Sequence, residues 1–307
     1  VLLEEQAQDV RLKYLRGEQS PVGRDQFEVA AQVTESARLL TPESVLLEAR
    51  AEFAAGRLAI FEKDYAKAIG HLERAVKLDG QDACAFNALG TAYLEQARFE
   101  EARRAFRDAI ARAPLWAYPR HNLALVLMEM GETAGAIEAY TEARRLAPKY
   151  AYLAYNQGYL YQRLNRKKEA EQAYREAARI DPGMADAYNA LGLLKAESGE
   201  RGEAERQYRE AISRRPGFRE ARHNLALLLA ENKGATGTAE GMWRDILKES
   251  PAYLPARLSL ARLLSAQGRD TEAIQEYEQV LRERPDYAGA REALEESRMR
   301  LAGRAKP

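Results

Sequence analysis

Ala83–Pro114 reads ACAFNALGTAYLEQARFEEARRAFRDAIARAP, and its arrangement returns along the chain at a fixed period. Pro114, Pro148, Pro182 and Pro216 lie 34 residues apart; Pro251 follows after 35 and Pro285 after 34, and Gly80 holds the corresponding place one step earlier. Self-similarity at a period of roughly 20–50 residues signals a repeat architecture. Stacked similar units make a long surface more readily than a catalytic pocket.

Other columns keep the same beat. Ala68, Ala102, Ala136, Ala170, Ala204, Ala239 and Ala273 are each followed four residues on by Leu72, Phe106, Tyr140, Tyr174, Tyr208, Trp243 and Tyr277. Ala75, Ala109, Ala143, Ala177, Ala211, Ile246 and Val280 come three residues later, which places all three columns on one helical face. Upstream lies a second helical pattern carrying Leu89-Gly90, Leu123-Ala124, Gln157-Gly158, Leu191-Gly192, Leu225-Ala226 and Leu260-Ala261. Tyr93, Leu127, Tyr161, Leu229 and Leu264 follow three residues after these pairs, but Lys195 stands where an apolar residue is expected. Gly131, Gly199 and Gly268 suit left-handed turns between the helices. The prolines stop the second helix of each pair.

These residues resemble the tetratricopeptide (TPR) family, whose pattern is Leu-Gly-x-x-Tyr, then Ala-x-x-x-Phe, then Ala, then Pro, over about 34 residues. Seven repeats start at about Ala49, Ala83, Ala117, Ala151, Ala185, Arg219 and Leu254. The resemblance implies an all-α fold: a right-handed α-solenoid of antiparallel helix pairs, the TPR superhelix. Residues 1–48 are expected to form an N-terminal helical pair (Leu2–Leu15 and Phe27–Leu40), a degenerate repeat or cap. Residues 49–287 hold the seven repeats, and 288–307 a C-terminal capping helix with a basic tail. Repeat six has one extra residue, expected in Lys233–Gly241; its glycines lack the Gly-Lys-Ser/Thr of a phosphate loop. In the C-terminal segment Glu295 and Arg298 occupy the places of the small residue and the aromatic, as a polar end cap needs.

Lys+Arg and Asp+Glu both total 47, and this balance lacks the basic excess of a nucleic-acid binder. Cys84 is the sole cysteine, so no intrachain disulfide forms. No apolar run is long enough to span a membrane. The chain begins at Val1 rather than methionine, from which removal of a leading segment, an export signal or lipid anchor among the options, is expected. Compartment stays open between cytoplasm and periplasm or envelope. Enzyme signatures such as His-Glu-x-x-His and Gly-x-Ser-x-Gly are absent, and no cofactor is expected. His121 and His223 sit in matching Arg-His-Asn-Leu-Ala-Leu segments three repeats apart. At roughly 10 Å per helix layer they stand about 30 Å apart, too far to share a metal.

In the family the first helix of each repeat lines a concave groove, so the resemblance implies ligand-facing residues on that helix. The candidates are Asn87, Asn122, Asn156, Asn189 and Asn224, in two adjacent columns, with His121 and His223 in the column of Asn87. An asparagine ladder holds an extended peptide backbone through its donors and acceptors, or else bonds between neighbouring helices. Tyr152, Tyr155 and Tyr159 share one stripe, with Arg163 beside it, and form the expected hot spot. Glu95, Glu129, Glu197 and Glu231 form an acidic ladder that either faces a basic ligand or is a solvated face.

The expected function is a non-catalytic adaptor binding a peptide or helical segment of a partner protein. Helices rich in Arg and Ala point to a bacterial setting, with secretion, pilus or envelope assembly as the field. Two alternatives stand beside it: a substrate-recognition arm of a larger, glycosyltransferase-like enzyme, and a self-assembling scaffold. Homo-oligomerisation is left open.

Overall fold

The computed structural model describes residues 24–41 and 43–304; the helix expected at Leu2–Leu15 lies outside the described residues. Sixteen α-helices and one 3-10 turn make up the described chain, with no strand among them. The protein divides into two compact units, Val1–Leu164 and Asn165–Pro307. The first holds α1 (Arg24–Leu40), α2 (Val45–Phe61), α3 (Tyr65–Leu78), α4 (Ala83–Glu95), α5 (Phe99–Arg112), α6 (Ala117–Glu129), α7 (Thr133–Leu146) and α8 (Ala151–Arg163). The second holds α9 (Lys167–Ile180), α10 (Ala185–Glu197), α11 (Arg201–Arg214), α12 (Arg219–Ala230), α13 (Thr236–Glu249), α14 (Leu254–Ala266), α15 (Asp270–Glu283) and α16 (Ala290–Arg304). Within each unit every helix packs against the next in sequence, giving stacked helix pairs of the solenoid type.

Six first helices, α4, α6, α8, α10, α12 and α14, begin at the residues where the period places a repeat start. The earliest begins one turn sooner, at Val45 instead of Ala49, because the Ser44 side chain accepts from the Leu47 amide and caps the helix there. Asp64 and Asp82 cap α3 and α4 in the same way. The extra residue of repeat six is taken up by a 3-10 turn, Lys233–Ala235, capped by Asn232.

Each pair is held by its alanine–ring–alanine columns. From Ala68, Leu72 and Ala75 through Ala273, Tyr277 and Val280, every member is at most 2% exposed. The partner helix must then be small where it crosses the ring. A Cβ on Gly90 would lie 2.6 Å from Phe106, one on Gly192 2.5 Å from Tyr208, and one on Gly56 2.5 Å from Leu72. Those distances are inside van der Waals contact, so glycine is a packing requirement at these sites.

The turn inside each pair has a second requirement. Gly131, Gly199 and Gly268 adopt φ of 75°, 76° and 74°, as the turn pattern predicts. Lys63, Ala97 and Asn165, at the same place in other repeats, are forced to φ of 60°, 55° and 56°. Asparagine tolerates this conformation; lysine and alanine do so at a cost.

Lys195 is 8% exposed in the column of Tyr93. Its ammonium lies 3.0 Å from both Glu171 on α9 and Glu200, tying the two elements together. Tyr93 makes the corresponding tether, donating its hydroxyl to Glu73 at 2.6 Å.

The register continues into α16, where Ala290, Leu294 and Ser297 are buried against the preceding pair. Glu295 then falls in the small-residue column and Arg298 in the aromatic one, and the two pair with each other at 2.8 Å. A glutamate at this point departs from the glycine or alanine of the other first helices, where a bulky side chain packs over it. Asp270, fully buried, accepts from Arg300 at 3.0 Å and locks the last helix down.

Relieving the left-handed alanine gains about 1–2 kcal/mol of strain and loses about 0.5–1 kcal/mol to glycine chain entropy. Ala97→Gly should therefore raise stability by roughly 0.5 kcal/mol in urea unfolding. Gly192→Ala should lower it by about 1–3 kcal/mol through overpacking. Shifts of the opposite sign would refute the assignment of the two glycine columns.

Candidate functional site

The first helices of each repeat carry the expected ligand-facing residues, and their surroundings sort them. Asn87 is 1% exposed, and its side-chain oxygen accepts from the Asn122 amide at 3.0 Å. Asn189 accepts from Asn224 at the same distance. Each pair spans 35 residues, one repeat plus one position, which is why the asparagines fall in two adjacent columns. Four of the five thus bond to a neighbouring first helix; Asn156 is half-buried on α8.

The histidines depart from the expectation of an exposed stripe. His121 and His223 are each 8% exposed and turned into the packing between helices. The His121 ring lies 5.5 Å from Tyr140 and meets Tyr152 edge-on at 5.4 Å. Its Nδ1 is buried with no hydrogen-bond partner. His223 meets Tyr253 edge-on at 5.7 Å, and its Nδ1 accepts from the Trp243 indole at 3.1 Å. Trp243 replaces the tyrosine of its column, and its N–H supplies the partner that His121 lacks. Burial holds both imidazoles at a pKa of about 4, offset slightly at His223 by Glu220.

Around Tyr152 the structure assembles a cluster in the first unit. Tyr118, Tyr150 and Tyr152 form a triangle with ring centroids 6.2, 5.7 and 6.2 Å apart. Trp116 stands 6.3 Å from Tyr118. Tyr118, in the column of Tyr152 one repeat earlier, is the member that reading single repeats overlooks. Burial, then the neighbouring Tyr118 hydroxyl, pushes the Tyr152 phenol well above its usual range. Further along α8, Tyr155 is half-buried, Tyr159 is 48% exposed, and Arg163 pairs with Glu129 at 3.0 Å.

The acidic ladder proves to be a set of ties between successive helices. Glu197 meets Lys167 at 3.4 Å, and Glu231 pairs with Arg201, in each case the residue 30 positions earlier. Glu95 accepts from Tyr65 at the same offset; burial first, then this carboxylate, raises that phenol's pKa. Phe99 holds the corresponding place for Glu129, which turns to Arg163 instead. These half-exposed pairs are individually weak, about 0–1 kcal/mol, and leave no bare acidic rim.

In the second unit an open pocket of about 520 Å³ is lined by Asp186, Asn189, Arg215, Gly217, Phe218 and Glu220. Only Asn189 was expected there. Arg215 spans it, 2.8 Å from Asp186 and stacked 3.7 Å above the Phe218 ring. Asp186 and Glu220 are 34 residues apart, the signal that marks them as one column. No group of three or more His, Cys, Asp or Glu among the described residues is placed to hold a metal ion. No described helix is long and apolar enough to cross a membrane.

Models of the tetratricopeptide repeat match residues 121–185, residues 59–121 and 233–296, and residues 184–215. No curated protein matches the chain. Among solved structures, a tetratricopeptide repeat protein from Parabacteroides merdae is 19% identical at a TM-score of 0.61, covering 81% of this chain and 98% of its own. PilF of Pseudomonas aeruginosa is 22% identical at a TM-score of 0.60, covering 71% of this chain and 100% of its own. At such identities the likeness is one of fold.

Both histidines are neutral when folded, whereas an unfolded histidine titrates near pH 6.5. The unfolded chain therefore binds more protons below that pH, and stability falls as pH drops from about 6.5 towards 4. The full shift is worth on the order of 3 kcal/mol per histidine. His121→Phe should flatten the fall in melting temperature between pH 7 and 4.5; an unchanged slope would contradict a buried, neutral His121.

Proposed function

We infer the function from one premise: this chain belongs to the tetratricopeptide repeat family. It acts as a non-catalytic adaptor that holds a peptide or helical segment of a partner protein on the face of its first helices. The observation that carries this reading is the exposure of two large apolar side chains at one position of the first helix, the ninth: Tyr159 in one unit and Leu227 in the other. At this ninth position Leu125 and Leu193 are half-buried against the core, and Thr91 and Arg262 stand there in α4 and α14. Tyr159 is 48% and Leu227 41% exposed, while the small and ring columns of the same repeats are buried. A large apolar side chain left exposed beside polar groups favours contact with another protein.

The neighbouring polar groups suit that role. Asn122 and Asn224 each commit one amide N–H to a neighbouring asparagine, and an asparagine side chain has a second N–H and an oxygen to offer. Tyr152, Tyr155, Asn156 and Arg163 stand with Tyr159 on α8, and His121 packs edge-on against Tyr152. Secretion, pilus or envelope assembly remains the field in which we place the adaptor, with the PilF likeness as support at the level of fold.

Tyr155→Ala and Tyr159→Ala test the reading in capture of the partner from the native organism. A hot-spot residue is worth about 2 kcal/mol, so each variant should retain roughly a thirtieth of the affinity. Melting should be unchanged in Tyr159→Ala. Undiminished capture by both variants, with intact melting, would contradict the site.

A further inference from the structure

We propose that the apolar face of α1 is the docking surface of the chain's own N-terminal segment, Leu2–Leu15, which folds back on it as the first helix of an eighth repeat. Second helices of the first unit, such as α3, pack between their own first helix and the next one. α1 stands in a second helix's place: four residues separate it from α2, as four separate α3 from α4. Among the described helices its packing partner is α2. Phe27, Ala30, Thr34 and Ala37 are buried along α1.

A second stripe runs beside that one. Val29 is 53% and Leu40 77% exposed, Val33 is half-buried and Ser36 is exposed. Spacings of four, three and four put these residues on one side of the helix. The N-terminal segment carries the same spacing at Leu3, Ala7, Val10 and Tyr14. Folding back about Pro21–Val22 sets Leu3 against Leu40, Ala7 against Ser36, Val10 against Val33 and Tyr14 against Val29, the two members of each pair being equally far from the turn. The small residue of one stripe thus meets the small residue of the other, which lets the helices approach closely there. Arg16–Gly23 bridges them with eight residues, a usual length between neighbouring helices, and Gly17, Pro21 and Gly23 suit a turn. The apolar start of the chain, Val1-Leu2-Leu3, then falls at the corner of α1 and α2, where Leu39, Val45 and Leu46 are exposed as well. Exposed apolar side chains gathered in one place mark a contact surface.

Other occupants fit less well. A second copy offers the same helix, but the eight-residue tether holds the chain's own segment at an effective concentration on the order of millimolar. Helices that lie on lipid are rich in Lys and Arg, whereas α1 sets Asp25, Glu28 and Glu35 against Arg24 and Arg38.

The test is limited trypsin digestion of the whole chain, with cleavage at Arg11 and Lys13, inside the segment, followed by mass spectrometry. A helix seated on α1 is cut only when it lifts off, so the rate follows the open population. We expect Val10→Asn and Val33→Asp each to speed cleavage at both sites at least about tenfold. Gln32→Asp, on the polar side of α1, should leave the rate unchanged. Should Val33→Asp lose its cooperative melting, Val10→Asn, which alters the segment alone, carries the test. Cleavage as fast in the unaltered chain as in Val10→Asn overturns the proposal. A dimer in light scattering that Val10→Asn converts to a monomer overturns it too, because the segment then sits on a second copy.

Discussion

The structure depends on one close approach: a bulky side chain on the second helix lies over a position of the first that holds only glycine or alanine, as at Gly56, Gly90, Ala124, Gly192, Ala226 and Ala261. At Gly90 and Phe106, or Gly192 and Tyr208, even a methyl group is too large. That approach sets the crossing of the two helices, buries the alanine columns beside the ring, and commits one face of each first helix to the frame. What remains of the first helix is free to vary. On α16 the same position is held by Glu295, which pairs with Arg298 instead of lying under a ring.

Polar residues on this frame serve it more often than their exposure in a repeat alignment suggests. Asn87 with Asn122, and Asn189 with Asn224, bond one first helix to the next. Lys195 does in one repeat what Tyr93 does in another, reaching a glutamate on the preceding second helix. The glutamates near the ends of first helices are tied to residues 30 positions back or, at Glu129, to Arg163. Such ties fix the stacking of neighbouring repeats while leaving Tyr159 and Leu227 exposed.

The period made the architecture legible: the small, ring and proline columns mark where the helices lie, and six first helices begin where it places them. Burial was less legible. Helical spacing puts His121 and Tyr155 on one stripe, yet it does not say that Tyr140 and Tyr152 close over the histidine from two other helices. The two-column scatter of asparagines had no reading until the bond from one repeat to the next supplied it. Lys63 and Ala97 gave no sign of their left-handed turns, because only the glycines at equivalent places betray the backbone's need. The tyrosine triangle draws one member from each of two repeats and one from their connection, so no single repeat displays it.

The central claim is that frame and recognition surface are carried by different columns of the same repeat. Urea unfolding of Tyr208→Ala and Tyr159→Ala, two tyrosines of equal size, tests it most directly. Tyr208 is 2% exposed and fills the helix crossing, so its loss should cost about 3–5 kcal/mol. Tyr159 is 48% exposed, and its loss should change stability by no more than about 0.5 kcal/mol. Comparable losses in the two variants would contradict the separation.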